Sequence, residues 1–120
     1  MKVALSASEN TIKSKLEQRF GRAHWFIVYD TDNNKYEFLE NTRQLNAPQG
    51  AGIQSAGTVS QAAVNAVITG HIGPKAFKAL NRAGVTIYLT DTSTIEEALN
   101  KFKQGLLEKT HSPDVQGHWM

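Results

Sequence analysis

Apolar positions in this chain follow two rhythms, and the change from one to the other outlines a fold. Val3-Ala4-Leu5 lies within residues 2–7 with no polar alternation, as expected of a strand covered on both faces, and is the expected central strand. Residues 24–29, His-Trp-Phe-Ile-Val-Tyr, give a second strand signal. Asp32-Asn33-Asn34 then supplies turn residues before Tyr36-Glu37-Phe38-Leu39-Glu40, so an antiparallel hairpin is expected. Between the first strand and the hairpin, residues 8–21 are polar and irregular, with Leu16 and Phe20 able to pack a turn of helix.

Past the hairpin the period becomes helical. Residues 41–52 are rich in Asn, Gln, Pro and Gly and form a connection longer than most, which makes them a candidate functional loop. A helix is expected over residues 53–64, where Ala56, Gly57, Ser60 and Ala63 recur at helical spacing and allow close approach to a sheet. Ala66-Val67-Ile68-Thr69 reads as a buried strand. Residues 74–83 read as a helix begun by Pro74 and stopped by Gly84, and residues 85–89 as another strand. Ser93-Thr94-Ile95-Glu96-Glu97 offers a capping box for a last helix with Ile95, Ala98, Leu99 and Phe102 on one face and Gly105 as its stop. This order predicts one α/β domain over residues 1–109 and a flexible tail over 110–120. The sheet should be mixed, with helices on both sides and the hairpin strand running against the others. Ligands of such sheets gather outside the carboxyl ends of the parallel strands, here after the first strand, after Thr69 and after Leu89.

Composition narrows the chemistry. A chain of 120 residues suits one core, and no apolar run approaches the roughly 18 residues of a membrane span, so no membrane partner is expected. The amino terminus lacks a signal-peptide pattern, which points to the cytoplasm. With no cysteine, disulfides, zinc–thiolate sites, cysteine-ligated iron–sulfur clusters and a thiol nucleophile are excluded together. A formal charge of +2 is too mild for wholesale nucleic-acid binding.

Against that background Thr69-Gly70-His71-Ile72-Gly73-Pro74-Lys75 stands out. Two glycines, an imidazole and a helix start with a lysine in its first turn make an anion-receiving loop, because a helix start carries unpaired N–H donors and a partial positive charge. The plain reading of Gly70 and Gly73 is a tight strand-to-helix connection, needed with or without a ligand. Arg19 and Arg22 have a plain reading too, as solvated charges or partners of Glu9 or Glu17; His24, before an apolar strand, reads as structural or exposed, and His111 and His118 in the tail give a weak metal signal.

Three motifs in register carry a resemblance. Arg19-Phe20-Gly21-Arg22-Ala23, Gln49-Gly50-Ala51-Gly52-Ile53 and the glycine loop through Phe77 are similar to the dinitrogenase iron-molybdenum cofactor biosynthesis family, over nearly the whole chain to about Leu107. The small stand-alone members resemble it most. The resemblance implies a ribonuclease H-like three-layer α/β/α fold with a five-stranded mixed sheet, order 3-2-1-4-5, strand 2 antiparallel. It also implies a non-enzymatic role in binding, storing or delivering an anionic metal–sulfur cluster, of molybdenum–copper or iron–molybdenum type, held non-covalently and exchanged with donor and acceptor proteins. A thiometallate is a compact polyanion whose sulfides already occupy its metals, so amides, cations and an apolar wall suffice to hold it. The site residues expected are Gly70, His71, Gly73 and Lys75 as donors and positive potential, Arg19 and Arg22 closing one side, and Gln49, Gly50 and Gly52 in a mobile lip. His71 is also the candidate metal contact. The chain is expected to be a monomer or weak dimer.

Two other classes compete. A nuclease needs carboxylates converging on two magnesium ions, and the first strand contains no acid. A phosphate- or nucleotide-binding module would use the glycine loop, although G-x-G-x-x-G and the P-loop consensus are both absent.

Overall fold

A computed structural model describes residues 1–41 and 51–115. The chain forms β1 (Lys2–Ala7), a 3-10 turn (Phe20–Arg22), β2 (Trp25–Asp30), β3 (Lys35–Glu40), α1 (Ala51–Gln61), β4 (Ala66–Thr69), α2 (Pro74–Arg82), β5 (Thr86–Leu89) and α3 (Ile95–Lys103). The strands make one sheet in the order β3-β2-β1-β4-β5. β2 is antiparallel to both β1 and β3, while β1–β4 and β4–β5 are parallel, so β2 alone runs against the rest, as expected. Val3 lies between Tyr29 and Ala66, and Leu5 between Ile27 and Ile68.

Alternation along the strands sorts the core into two layers. Ala4, Phe26, Val28, Val67 and Ile87 face Ala56 and Val59 of α1 and Ala76 and Leu80 of α2. Val3, Leu5, Ile27, Tyr29 and Ile68 face Ile95, Ala98 and Leu99 of α3. The connections β3–α1–β4 and β4–α2–β5 step the same way across the sheet, so right-handed crossovers put α1 and α2 on one face, and α3 is left to cover the other. β1 and β4, sandwiched between layers, are buried except at Lys2 and mostly apolar, with Ser6 and Thr69 as their buried polar residues.

The helix expected over residues 53–64 is shifted toward the amino terminus. It already includes Ala51 and Gly52 and stops at Gln61, because Ala63 takes a left-handed φ of 57° while the amides of Ala62 and Ala63 bond back to Val59 and Ser60. Gly84 (φ 77°) and Gly105 (φ 72°) end α2 and α3 as their sequence positions suggested. Thr94 caps α3 by accepting the Glu97 amide at 3.2 Å. Chain direction then dictates one consequence for function: α1, α2 and α3 all begin at the edge where β1, β4 and β5 end.

Candidate functional site

At that edge two buried hydroxyls set the floor. Ser6 Oγ lies 2.7 Å from both Thr69 Oγ1 and the Glu17 carbonyl oxygen, and the Glu17 amide donates back to the Ser6 carbonyl at 2.8 Å. The segment after β1 is thereby stitched across the ends of β1 and β4. It continues alongside the glycine loop: the His71 amide donates to the Gln18 carbonyl (2.6 Å), the Phe20 amide donates to the His71 carbonyl (3.1 Å), and Arg19 pairs with His71 as a parallel bridge. Gly70 sits under this crossing. A Cβ there would lie 2.7 Å from the Gln18 carbonyl oxygen and 2.8 Å from Gln18 Cα, so the missing side chain is demanded by contact between two backbones.

Sequence-predicted residues come together around this crossing. Arg19 is exposed and Arg22 half-buried, flanking the buried Phe20 and Gly21 of the 3-10 turn, against which α1 packs. Gly52 lies buried in the first turn of α1, and Gly73 is the extended N-cap residue of α2 (φ −86°, ψ 173°). Lys75 is exposed in the first turn of α2. Gln49 and Gly50 lie outside the described residues. Of the loop donors, the amides of His71 and Ile72 are engaged within the chain and Pro74 has none, so α2 can offer donors to a guest from Gly73, Lys75 and Ala76.

Electrostatics distinguish the two faces. The first turns of α1 and α2 contain no acid, whereas α3 places Glu96 and Glu97 in its first turn. Positive potential at the start of α3 is therefore met by its own carboxylates. At α1 and α2 it remains available and is reinforced by Arg19, Arg22 and Lys75.

Asp114 is a site residue without a sequence signal. Its Oδ2 lies 2.7 Å from His71 Nδ1 and its Oδ1 accepts the Ile72 amide at 2.7 Å. Residues 110–115, read from sequence as part of a tail, lie against the domain: the Thr110 amide donates to the Ile87 carbonyl, and the Asp114 amide to the Ile72 carbonyl. A cleft of about 530 Å³ opens between Gly70, His71 and Asp114 on one side and Thr90, Lys101 and Leu107 on the other, joining the ends of β4 and β5.

Asn41 is the other unforeseen contributor. Its buried amide donates to the Ala23 carbonyl (2.8 Å) and Ser55 Oγ (2.9 Å) and accepts from Thr58 Oγ1 (3.1 Å), tying the end of β3 to the 3-10 turn and to α1. Asn41→Ala is expected to cost about 2–3 kcal/mol in urea unfolding, since three bonds are lost and the Ala23 carbonyl loses a buried partner. A loss under about 0.5 kcal/mol would show that α1 is placed by apolar packing alone.

Among the described residues no group of three or more His, Asp or Glu side chains is arranged to hold a metal ion, and no helix is long and apolar enough to cross a membrane.

Fold and site thus define a small single-sheet α/β domain with an acid-poor, cation-bearing rim at two helix starts. The chain belongs to the dinitrogenase iron-molybdenum cofactor family, whose model matches residues 1–105. The apo form of the orange protein from Desulfovibrio gigas superposes with a TM-score of 0.89 at 29% identity, over 95% of this chain and 96% of that one. A Thermotoga protein described as a candidate NifB gives 0.79 at 29% identity, over 95% and 98%. An uncharacterized protein of Methanocaldococcus jannaschii is 35% identical over 112 residues, 91% of either chain.

Proposed function

We propose that the domain is a non-enzymatic carrier that binds an anionic metal–sulfur cluster and stores or delivers it. The observation that carries this reading is the convergence of the α1 and α2 starts, both free of acid, with Arg19, Arg22 and His71 on one edge of the sheet. Such a rim offers amide N–H groups, guanidinium N–H groups and one imidazole, a donor set that suits sulfide ligands at the surface of a compact polyanion. No thiolate is available in the sequence, so retention has to come from hydrogen bonds, charge and the shape of the site. Membership of the family supports a cluster of iron–molybdenum type, and similarity to the orange protein supports a small stand-alone carrier. Donor and acceptor proteins would load and unload it, in the cytoplasm.

Reconstitution tests this. Apo protein mixed with tetrathiomolybdate and cuprous ion should develop charge-transfer bands that stay with the protein through gel filtration. Arg22→Ala and His71→Ala should each weaken retention roughly tenfold, the scale of one hydrogen bond to a charged group, with unfolding unchanged. Retention should also fall as salt rises. A spectrum equal to that of the free reagents would sink the proposal. If inorganic phosphate or a nucleotide bound at the same rim without any thiometallate binding, the phosphate-module reading would replace it.

A further inference from the structure

The carboxylate of Asp114 sits where an anion would be received by the glycine loop. Its Oδ1 accepts the Ile72 amide and its Oδ2 lies against His71 Nδ1, both at 2.7 Å, so one loop amide and one ring nitrogen already hold a negative charge supplied by the chain itself. The fastening is local. Ile72 is tied through both of its backbone polar groups, its carbonyl accepting from the amides of Asp114 (3.1 Å) and Val115 (3.4 Å). Upstream, the Thr110 amide bonds to the Ile87 carbonyl of β5 at 2.8 Å, and between these two points His111 and Ser112 are exposed. The clip itself meets solvent, with 43% of the imidazole and 29% of the carboxylate side chain exposed, so a solute can reach it. Ile72 is fully buried, and without a partner its amide would be an unpaired buried donor.

We infer that residues 110–115 form an autoinhibitory strap: the Asp114 carboxylate occupies the glycine loop in the empty protein, and a polyanionic guest displaces it. This rests on the cluster-carrier reading above and adds its regulation. A carboxylate and a sulfide-faced cluster compete for the same donors, and the fixed charge of Asp114 opposes a second anion close by. When the strap lets go, the Ile72 amide joins the donors that Gly73, Lys75 and Ala76 offer, while Thr110 stays on β5, so release needs no change in the sheet. Apparent affinity is then the intrinsic affinity scaled by the fraction of molecules with the strap open. The device serves both ends of a delivery cycle. Empty protein keeps its buried amide paired, and a returning carboxylate helps expel cargo. A purely structural Asp114 would have the opposite effect on binding, because its loss would loosen the loop.

The test titrates the wild-type protein, Asp114→Asn and Asp114→Ala with tetrathiomolybdate and cuprous ion. Asp114→Ala should bind roughly tenfold more tightly, the scale of one hydrogen bond to a charged group, and Asp114→Asn, which keeps an acceptor oxygen without the charge, should fall between. Should Asp114→Ala fail to fold, Asp114→Asn carries the comparison. Amide exchange gives an arm that needs no variant. In the empty wild-type protein the amides of Asp114 and Val115 should be protected by the Ile72 carbonyl, and saturating tetrathiomolybdate with cuprous ion should speed their exchange while the Thr110 amide stays as it was. Equal or weaker binding by the variants, or Asp114 and Val115 amides that remain protected with the cluster bound, would each overturn the inference. If no thiometallate binds to any of the three proteins, the carrier reading falls and inorganic phosphate becomes the probe. Tighter phosphate binding by Asp114→Ala, with the strap amides released, then upholds the strap; no phosphate binding, or no difference between the proteins, overturns it.

Discussion

Phe20→Ala is expected to destabilise the domain by about 3–5 kcal/mol and to abolish cluster retention in the same step. The ring is fully buried, its centroid 5.3 Å from that of Phe26, within the layer that also holds Ala56 and Val59 of α1 and Ile72 of the glycine loop. It is also the main apolar anchor of the 3-10 turn that Arg19 and Arg22 flank. Removing the ring empties a close-packed site and loosens the 3-10 turn that carries Arg22 and follows the Arg19–His71 bridge. Phe20→Leu keeps most of the volume and should cost about 1–1.5 kcal/mol with retention largely preserved. Urea unfolding and reconstitution measured on the same samples check this. Full retention in a strongly destabilised Phe20→Ala protein would mean that the 3-10 turn does not hold the site.

Gly70→Ala should come next, at about 2–3 kcal/mol, because the new methyl group would meet backbone atoms. The clash involves the carbonyl oxygen and Cα of Gln18 as well as its flexible side chain, and the Gln18 carbonyl is the acceptor for His71. Relief of the clash therefore moves the strand-like segment 16–19 off the loop and takes His71 with it. Gly57→Ala serves as the contrast: Gly57 is exposed inside α1 with nothing within 4 Å of a built Cβ, so helix propensity should leave the protein as stable or up to about 1 kcal/mol more so. Equal effects at the two glycines in thermal unfolding would refute the contact argument.

How much of this was legible in the sequence depended on the range of the interaction. Period-2 and period-3.6 patterns are local, and they placed β1, β4 and the starts of α2 and α3 where the structure has them. Pro74 and Thr94 act within one turn of themselves, so their meaning could be read directly. The end of α1 was missed because alanine is a good helix former and nothing near Ala63 announces a left-handed residue; the turn into β4 imposes it. Asn41 looked like one more polar loop residue, since its partners Ala23, Ser55 and Thr58 are brought to it by the fold. Asp114 was invisible for the same reason, lying 43 positions from His71 in a stretch with no periodicity. Gly70 was picked out correctly as a constrained position, although the constraint comes from Gln18, which no local pattern names.

The strand order carries a further consequence, for assembly of the protein. β1, β2 and β3 are neighbours along the chain as well as in space, so they can zip up from short-range contacts, whereas β1 meets β4 across 63 positions, as the Ser6–Thr69 contact does. Loop entropy delays such long closures, and the rim needs that closure together with the docking of residue 114. The rim is thus expected to form last, after the meander that supports it, and hydrogen-exchange labelling during refolding should protect β2 and β3 before Thr69 and Ile72.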